Sequence, residues 1–340
     1  MKVASGKSET VHKIPLAVAD ETAAVEFMES VRWGAEPACP HCGSVEVYKM
    51  LRRGSEERNG RFLWRCHACT RQYTVRIGTV MEDSPIPVRF WVFAFWAASA
   101  SKKGVSALQI RRQTGVSYKS ALFMMHRIRW AMQHGTGTAL LTGDIEVDET
   151  YVGGKPRRKP RPPVLRSEHS GRIISGGRTS KRGRAVEGFS DRKTPVVAIL
   201  QRNGEVRTSV MTTVNGENLY KMLRHTVDRS ARLHTDEGGA YRPVGKYFDG
   251  GHYTVNHKEW EYARDENGFK ATTNTVEAFF ALLKRGVIGT FHNVSRKHLH
   301  RYCSEFAFRW NTRTLDDGGR FIALIQNGDG ARLTYAALTA

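Results

Sequence analysis

The amino-acid sequence predicts a multidomain α/β protein, and three observations predict this fold class. Two C-x2-C pairs near residues 39 and 66 indicate a small metal-stabilised module. A run of helical periodicity follows, over residues 85–135. From residue 144 onward, strand-like alternation and helical periodicity succeed each other, which is the pattern of a mixed sheet covered by helices.

The composition favours a globular protein that binds polyanions. The chain has 340 residues, of which 40% are apolar, and 53 Lys and Arg residues outnumber 33 Asp and Glu residues, giving a net charge of +20. A surplus of this size and sign favours nucleic acid as the partner. No apolar run reaches the length of a membrane span, and the first residues lack the apolar core of a signal peptide. An acidic membrane surface is a weaker alternative, because no basic amphipathic helix presents an exposed aromatic face. We therefore expect a soluble, cytoplasmic protein.

The cysteine pairs are the most specific local signal. We expect a helical segment over residues 1–35, followed by a zinc ribbon over residues 36–80. Two knuckles separated by 23 residues can place four thiolates around one structural Zn²⁺, and an intracellular chain disfavours the alternative of two disulfides. His41 and His67 lie inside the knuckles and are rival ligands. The predicted zinc ligands are Cys39, Cys42, Cys66 and Cys69.

The helical region over residues 85–135 resembles a helix-turn-helix. The aromatic stretch PVRFWVFAFWAASA predicts a core helix, and a short helix from Ala107 to Gln113 precedes a turn and a second helix with Ser117 as its N-cap. A plain helical hairpin with a solvated face remains an alternative. Predicted DNA contacts on the second helix are Tyr118, Lys119, His126, Arg127 and Arg129.

Residues 140–315 carry the elements of a larger domain. Three strands, a helix, a strand, a helix, a strand and a closing helix form the order of a ribonuclease H-like fold with a mixed sheet. A basic insert over residues 155–194 is rich in Gly, Pro, Ser and Arg, so we expect it to be flexible and to place Arg157 and Arg158 on phosphates. A solubilising loop is the alternative. Residues 316–340 are predicted to be a C-terminal tail.

Three acids on separate elements of this domain predict a site for paired divalent cations. Phosphoryl transfer by two metal ions requires two or three carboxylates that clamp the attacking and leaving oxygens. Asp148 lies on the first strand, Asp236 at the end of the fourth, and Glu277 on the closing helix. Periodicity does not exclude their neighbours Glu146, Glu149 and Glu237.

The closing helix also carries two cations. Lys284 lies seven residues after Glu277, which places it on the same stripe of the helix and about 10 Å farther along the axis. Lys284 and its neighbour Arg285 are predicted to reach DNA near the site.

Three stretches of the sequence carry a resemblance to a known family: VDETYVGGK at 147–155, HTDEGGAY at 234–241, and NTVEAFFALLKRGVIGTFHNVSRKHLHRY at 274–302. Together with the ribbon, they resemble the DDE transposases of bacterial insertion sequences, in the branch that joins a zinc ribbon to an ISXO2-like transposase domain (the IS-fifteen-ninety-five superfamily). The resemblance covers most of residues 20–315. It implies Asp148, Asp236 and Glu277 as ligands of two Mg²⁺ (or Mn²⁺) ions, with Lys284 near the scissile end of the DNA. The long basic insert departs from the pattern.

Two functions of different classes remain open on the sequence. The first is a transposase that binds the inverted terminal repeats of its element, as a homo-oligomer on double-stranded DNA, and cuts and joins strands into target DNA. The second is a domesticated, non-catalytic regulator that uses only its ribbon and helix-turn-helix to bind DNA. Ribonuclease or resolvase activity on the same fold is a third, weaker possibility. The three acids favour the enzyme, because a pure DNA binder has no use for carboxylates beside phosphates.

Overall fold

The computed structural model describes residues 6–135, 137–153, 165–166, 173–175, 193–266 and 268–339. Its helices are α1 (Gly6–Ala19), α2 (Glu21–Trp33), α3 (Val88–Ala100), α4 (Ala107–Thr114), α5 (Tyr118–His134), α6 (Gly216–Arg224), α7 (Arg242–Gly245), α8 (Asn274–Gly286), α9 (Leu299–Asn311), α10 (Asp317–Asn327) and α11 (Tyr335–Thr339). Its strands are β1 (Val47–Lys49), β2 (Trp64–Cys66), β3 (Gln72–Tyr73), β4 (Asp144–Val152), β5 (Leu165–Arg166), β6 (Ile173–Ser175), β7 (Thr194–Gln201), β8 (Val206–Val210), β9 (Arg232–Asp236), β10 (His252–Val255), β11 (Ala263–Glu266) and β12 (Phe269–Thr272). No helix in these ranges combines the length and the apolar character that crossing a membrane requires.

The N-terminal half is a helical core built from α1 to α5. The predicted core helix, α3, buries its aromatic side chains here. The side chain of Ser106 accepts a hydrogen bond from Gln109 at the start of α4, and Ser117 does the same for Ser120 at the start of α5. Gly115 ends α4 in the left-handed region, with φ of 76°, a conformation that glycine adopts without a steric penalty. The turn between α4 and α5 therefore forms where the sequence predicts it.

The predicted C-terminal tail is instead part of this helical core. Helix α10 packs against α3, α5, α1 and α2, and Phe321 is fully buried. The ring of Phe321 stacks on Phe27 at 5.7 Å and meets the edge of Trp96, also at 5.7 Å between ring centroids. The apolar positions of α10 need this partner surface because an isolated helix of eleven residues is only marginally stable in water.

The ribbon is a small antiparallel sheet in the order β1-β2-β3. It is attached to helix α2, because Trp33 contacts the edges of Trp64 and Tyr73 with ring centroids 5.6 and 5.9 Å apart. The buried carboxylate of Glu29 on α2 accepts a hydrogen bond of 2.7 Å from the indole of Trp64. The ribbon sheet ends at Tyr73, and the chain then enters the helical core.

The C-terminal half is built on a mixed five-stranded sheet in the order β10-β9-β4-β7-β8. Strands β4, β7 and β8 are antiparallel, whereas β9 and β10 run parallel to β4. One face packs on α6, with Leu219 and Leu223 buried against it, and the other face packs on α8 and α9 through Phe279 and Phe306. The strands and helices follow the predicted order. The ribonuclease H-like architecture itself stays a prediction.

Two strand pairs lie outside the predicted pattern. The β11–β12 hairpin connects β10 to α8. The β5–β6 pair falls within the insert that was predicted to be flexible, with an irregular register between Leu165 and Arg166. Arg157 and Arg158, predicted to contact phosphates, lie outside the described residues.

Candidate functional site

The four cysteines of the ribbon come together as one cluster. Their Sγ atoms all lie within 4.8 Å of one another, and the nearest cross-knuckle pairs are Cys39 with Cys69 at 3.7 Å and Cys42 with Cys66 at 3.6 Å. No disulfide joins them, and the backbone N–H of Cys69 lowers the pKa of the Cys66 thiol to about 7, which favours the thiolate. The donor set suits tetrahedral Zn²⁺.

The two rival histidines point elsewhere. The ring of His67 lies against Tyr48, with centroids 4.7 Å apart, and His41 meets the edge of Tyr73 at 6.4 Å. In the described part of the chain, the four cysteines are the one group of three or more candidate ligands this close together. The ribbon therefore offers four sulfur ligands to a structural zinc ion.

Asp148 and Asp236 lie on adjacent parallel strands. The last paired residues of these strands are Glu146 and His234, and each aspartate lies two residues beyond them. Burial raises the pKa of Asp148 to about 7, and the charges of Glu149, Asp236 and Glu277 add to this effect. Three acids that are distant in sequence therefore repel one another at one place in the fold.

Each of the other two acids is held by local hydrogen bonds. The backbone N–H of Gly238 donates to Asp236 at 2.9 Å. Glu277 lies on the first turn of α8, where its Oε1 accepts a hydrogen bond of 3.2 Å from the hydroxyl of Thr273 and lies 3.0 Å from Nε2 of His257. Glu277 remains 43% exposed, so its carboxylate is accessible from solvent. Sequence reasoning missed His257, because it lies at the start of a short 3-10 turn, His257–Glu259, that no motif marks.

The neighbouring acid Glu146 has a structural role. Its side chain is fully buried and accepts hydrogen bonds from the backbone N–H groups of Thr275 and Val276, each at 2.9 Å. These are orphan donors of the first turn of α8, whose own N-cap Thr273 makes no capping hydrogen bond. Arg202 neutralises Glu146 at 2.8 Å. Glu146 on β4 therefore caps the helix that carries Glu277.

The other two rival acids differ from each other. The phenol of Tyr241 donates a hydrogen bond to Glu149, and burial raises the pKa of that carboxyl. Glu237 follows Asp236 and is exposed. Glu149 therefore borders the acidic group and is held by a buried tyrosine, whereas Glu237 faces solvent.

The cations of α8 lie on its outer surface. Lys284 and Arg285 are exposed in the last turn of the helix. Arg285 donates through Nε to the carbonyl of Ala281 at 3.1 Å, which holds its stem along the helix. Both side chains are accessible to a phosphate.

The second helix of the predicted helix-turn-helix exposes its first turn and its last two residues, whereas its middle is mostly buried. Tyr118 is 47% exposed and Lys119 is exposed. Arg127, by contrast, is buried and donates hydrogen bonds of 3.0 and 2.7 Å to the carbonyls of Val80 and Glu82. His126 and Arg129 are also buried. Burial argues against the predicted DNA contacts of Arg127, His126 and Arg129, because α5 turns these side chains into the protein.

Comparisons with known proteins match the two regions that contain the four cysteines and the three acids. The ISXO2-like transposase domain matches residues 140–311, which is just over half of the chain and contains β4, β9 and α8. The transposase zinc-ribbon domain matches residues 19–72, which contain α2 and all four clustered cysteines. The chain is also similar to an uncharacterized protein in transposable element ISH50 of Halobacterium salinarum, with 26% identity over 292 residues, covering 85% of this chain and 90% of that protein. The chain belongs to the family defined by the ISXO2-like transposase domain.

Proposed function

We propose that this protein is a DDE transposase that binds the inverted terminal repeats of an insertion sequence and catalyses metal-dependent cleavage and transfer of DNA strands. The observation that carries the proposal is the group formed by Asp148, Asp236 and Glu277. Asp148 is half-buried, is repelled by the other acids and lies on the strand adjacent to Asp236, and Glu277 is fixed at the start of a helix. Family membership supports the same reaction class.

The three carboxylates are proposed to hold two Mg²⁺ (or Mn²⁺) ions. Carboxylate oxygens suit these hard cations, and neither Asp148 nor Asp236 has an ion-pair partner among the described residues. When bound, the ions supply positive charge for the phosphate oxygens and lower the pKa of water. Asp148, Asp236 and Glu277 fix the position of that charge. Lys284, about 10 Å farther along α8, binds a phosphate beside the cut and positions the DNA.

The remaining modules are proposed to place DNA at this site. The zinc ribbon and the first turn of α5, with Tyr118 and Lys119, contact the terminal repeat, and Arg157, Arg158 and Arg285 contact phosphates. Joining two transposon ends to target DNA requires a homo-oligomer on the DNA. The protein works in the cytoplasm and is nucleoid-associated when DNA is bound. The regulator alternative leaves the repulsion around Asp148 without a purpose, so we do not adopt it.

Substitution of one carboxylate tests the proposal. Glu277→Gln keeps the shape of the side chain and removes its charge. We expect this variant to bind a labelled terminal-repeat duplex in Ca²⁺ with the wild-type affinity, and to lose cleavage and joining in Mg²⁺ or Mn²⁺ by at least 100-fold. The matched control is Glu217→Gln on exposed α6, which is expected to cut normally. A Glu277→Gln protein that cuts at the wild-type rate would refute the triad.

A further inference from the structure

A groove separates the α4–α5 pair from the segment that follows α8. It has a volume of about 690 Å³, and its lining includes Arg111, Arg112 and Tyr118 on one side and Phe291 and Asn293 on the other. The segment after α8 begins as a π-helical turn, Val287–Phe291. Arg111 and Arg112 are exposed, whereas most of α5 is buried. The open face of this helix pair is therefore the face of α4.

The two chain segments that form the groove carry no acidic side chain. Residues 101–135 contain seven Lys and Arg residues, residues 278–304 contain five, and neither stretch contains Asp or Glu. They pack together through α5 and α9, and through the rings of His126 and His298, whose centroids lie 4.7 Å apart. The cations that line the groove, Arg111, Arg112 and Arg129, all come from the first segment, and the second segment adds no acidic group to the lining. This concave surface therefore attracts a polyanion.

A buried arginine beneath the groove is not fully neutralised. Arg129 donates through Nε to Glu305 at 2.6 Å, and its guanidinium lies over the ring of Tyr302 at 4.0 Å. Glu305 also binds Arg309 at 2.6 Å, so one carboxylate serves two arginines. Arg129 lines the groove, yet its Nη1 has no hydrogen-bond partner in the described structure. Burying such a charged donor without a partner is costly.

The neighbours of Arg129 also have polar atoms without hydrogen-bond partners in the described structure. Arg301 is 5% exposed, and its Nη1 also lacks a described partner. The Nδ1 atoms of His126 and His298 are unpartnered as well. Burial lowers the pKa of Arg301, and the charge of Arg129 lowers it further, so the pair is short of negative charge. Of these groups, Arg129 lines the groove, so this excess of positive charge lies directly beneath it.

We infer that this groove binds the phosphates of a DNA strand, with Arg111 and Arg112 of α4 as direct contacts and Arg129 as the source of positive potential at its base. The inference rests on the proposed function, since it names where the DNA lies. It assigns the main DNA contact to α4 and not to α5. Thirteen residues separate Glu277 from Thr290, the first groove residue after α8, or about 20 Å, which is less than one turn of duplex DNA. One duplex therefore spans the groove and the acids.

The test measures DNA affinity in the absence of divalent metal. A labelled 30-base-pair duplex of arbitrary sequence is titrated in EDTA at several NaCl concentrations, with fluorescence anisotropy as the readout. We expect Arg111→Gln/Arg112→Gln to weaken binding at least tenfold and to make the slope of log K against log [NaCl] shallower by about 2, since each phosphate contact contributes about 0.9. The control Arg224→Gln/Arg229→Gln removes the same charge on the α6 side of the sheet. It is expected to stay within twofold of wild type.

A third variant tests the opposite wall of the groove. Asn293→Asp changes one atom of an exposed side chain and adds a negative charge without removing an arginine. We expect the added negative charge to weaken DNA binding severalfold. A structural role of α4 would not explain this loss, because Asn293 lies outside α4. Equal losses in both double variants, or wild-type binding by both Arg111→Gln/Arg112→Gln and Asn293→Asp, would overturn the inference. Because no metal is present, these outcomes are independent of whether Glu277→Gln abolishes cleavage.

Discussion

The four-cysteine cluster and the three-carboxylate group gather metal ligands by different means. The cysteines come from two knuckles of one small sheet, and their sulfur atoms lie within 4.8 Å of one another. The carboxylates come from two strands and a helix and repel one another. The ribbon has a small core of its own, so a zinc ion bound by its cysteines supplies much of its stability, whereas the like-charged carboxylates must be held in place by the surrounding protein. The ribbon therefore depends on its metal, and the acidic site depends on its fold.

The largest expected effect is the loss of the ribbon when one thiolate is removed. Cys66→Ser leaves three sulfur ligands, and binding of structural zinc contributes roughly 10 kcal/mol or more to the folding of small zinc modules. We expect metal analysis to fall from one zinc per chain to near zero, with proteolysis within residues 36–73. Cys303→Ala is the control, since Cys303 is buried on α9 away from the cluster. Equal zinc content in wild type and Cys66→Ser would disprove the assignment.

The next largest effect concerns the cap of α8. Glu146→Ala leaves Nε of Arg202 and the first N–H groups of α8 without their acceptor and removes the charge that pairs with Arg202. Breaking a buried ion pair of this kind costs about 3–5 kcal/mol, which urea unfolding measures directly. The exposed Glu237→Ala is the control and is expected to unfold like wild type. If the two variants are equally stable, Glu146 does not hold α8.

Removing the acid Asp148 from the centre of the site is expected to raise the stability of the protein, unlike the removal of Glu146. The pKa of Asp148 in the folded protein, about 7, exceeds its ordinary value of 3.8, so the folded state binds the proton more tightly. The protonated carboxyl makes its full contribution to the stability of the fold below about pH 4. That contribution is lost as the pH rises through 7.

We therefore expect Asp148→Asn to be more stable than wild type at pH 8 in EDTA, by about 4 kcal/mol, and nearly equal to it at pH 4. Urea unfolding at both pH values checks this. Added Mg²⁺ is expected to stabilise wild type and not the variant. A destabilised Asp148→Asn protein at pH 8 would mean that the site carries no repulsion.

The smallest effect is expected for Lys284, which is exposed and is proposed to contact only DNA. Lys284→Ala is expected to leave stability and zinc content unchanged and to reduce cleavage about tenfold, because it loses one positioning contact. The salt slope of binding should fall by about 1. Lys221→Ala on α6 is the control. Complete loss of cleavage would give Lys284 a larger part in the reaction than positioning.

The sequence is most informative where the determinants are local. The knuckle spacing predicts the cysteine cluster, and Ser117 predicts the start of α5, because caps act within one turn. Helical periodicity alone does not reveal which face of α5 is buried. The burial of Arg127 depends on carbonyls about 45 residues earlier in the chain.

The candidate acids show the same limit. Glu146 and Asp148 are two residues apart and share one side of β4, so alternation cannot distinguish them. Their roles differ because the N–H groups at the start of α8 reach Glu146. That contact spans 129 residues and becomes visible only in three dimensions.

The docking of α10 on the N-terminal helices also sets an order of events during synthesis. At about 5–20 residues per second, the stretch between His134 and Asp317 takes roughly 10–40 s to translate. During that time α3 has no partner for the ring of Trp96, although every residue of α1 to α5 has already been made. The apolar surface of the first helices therefore stays uncovered until α10 has been made. A chain that is released before that point exposes this surface to solvent.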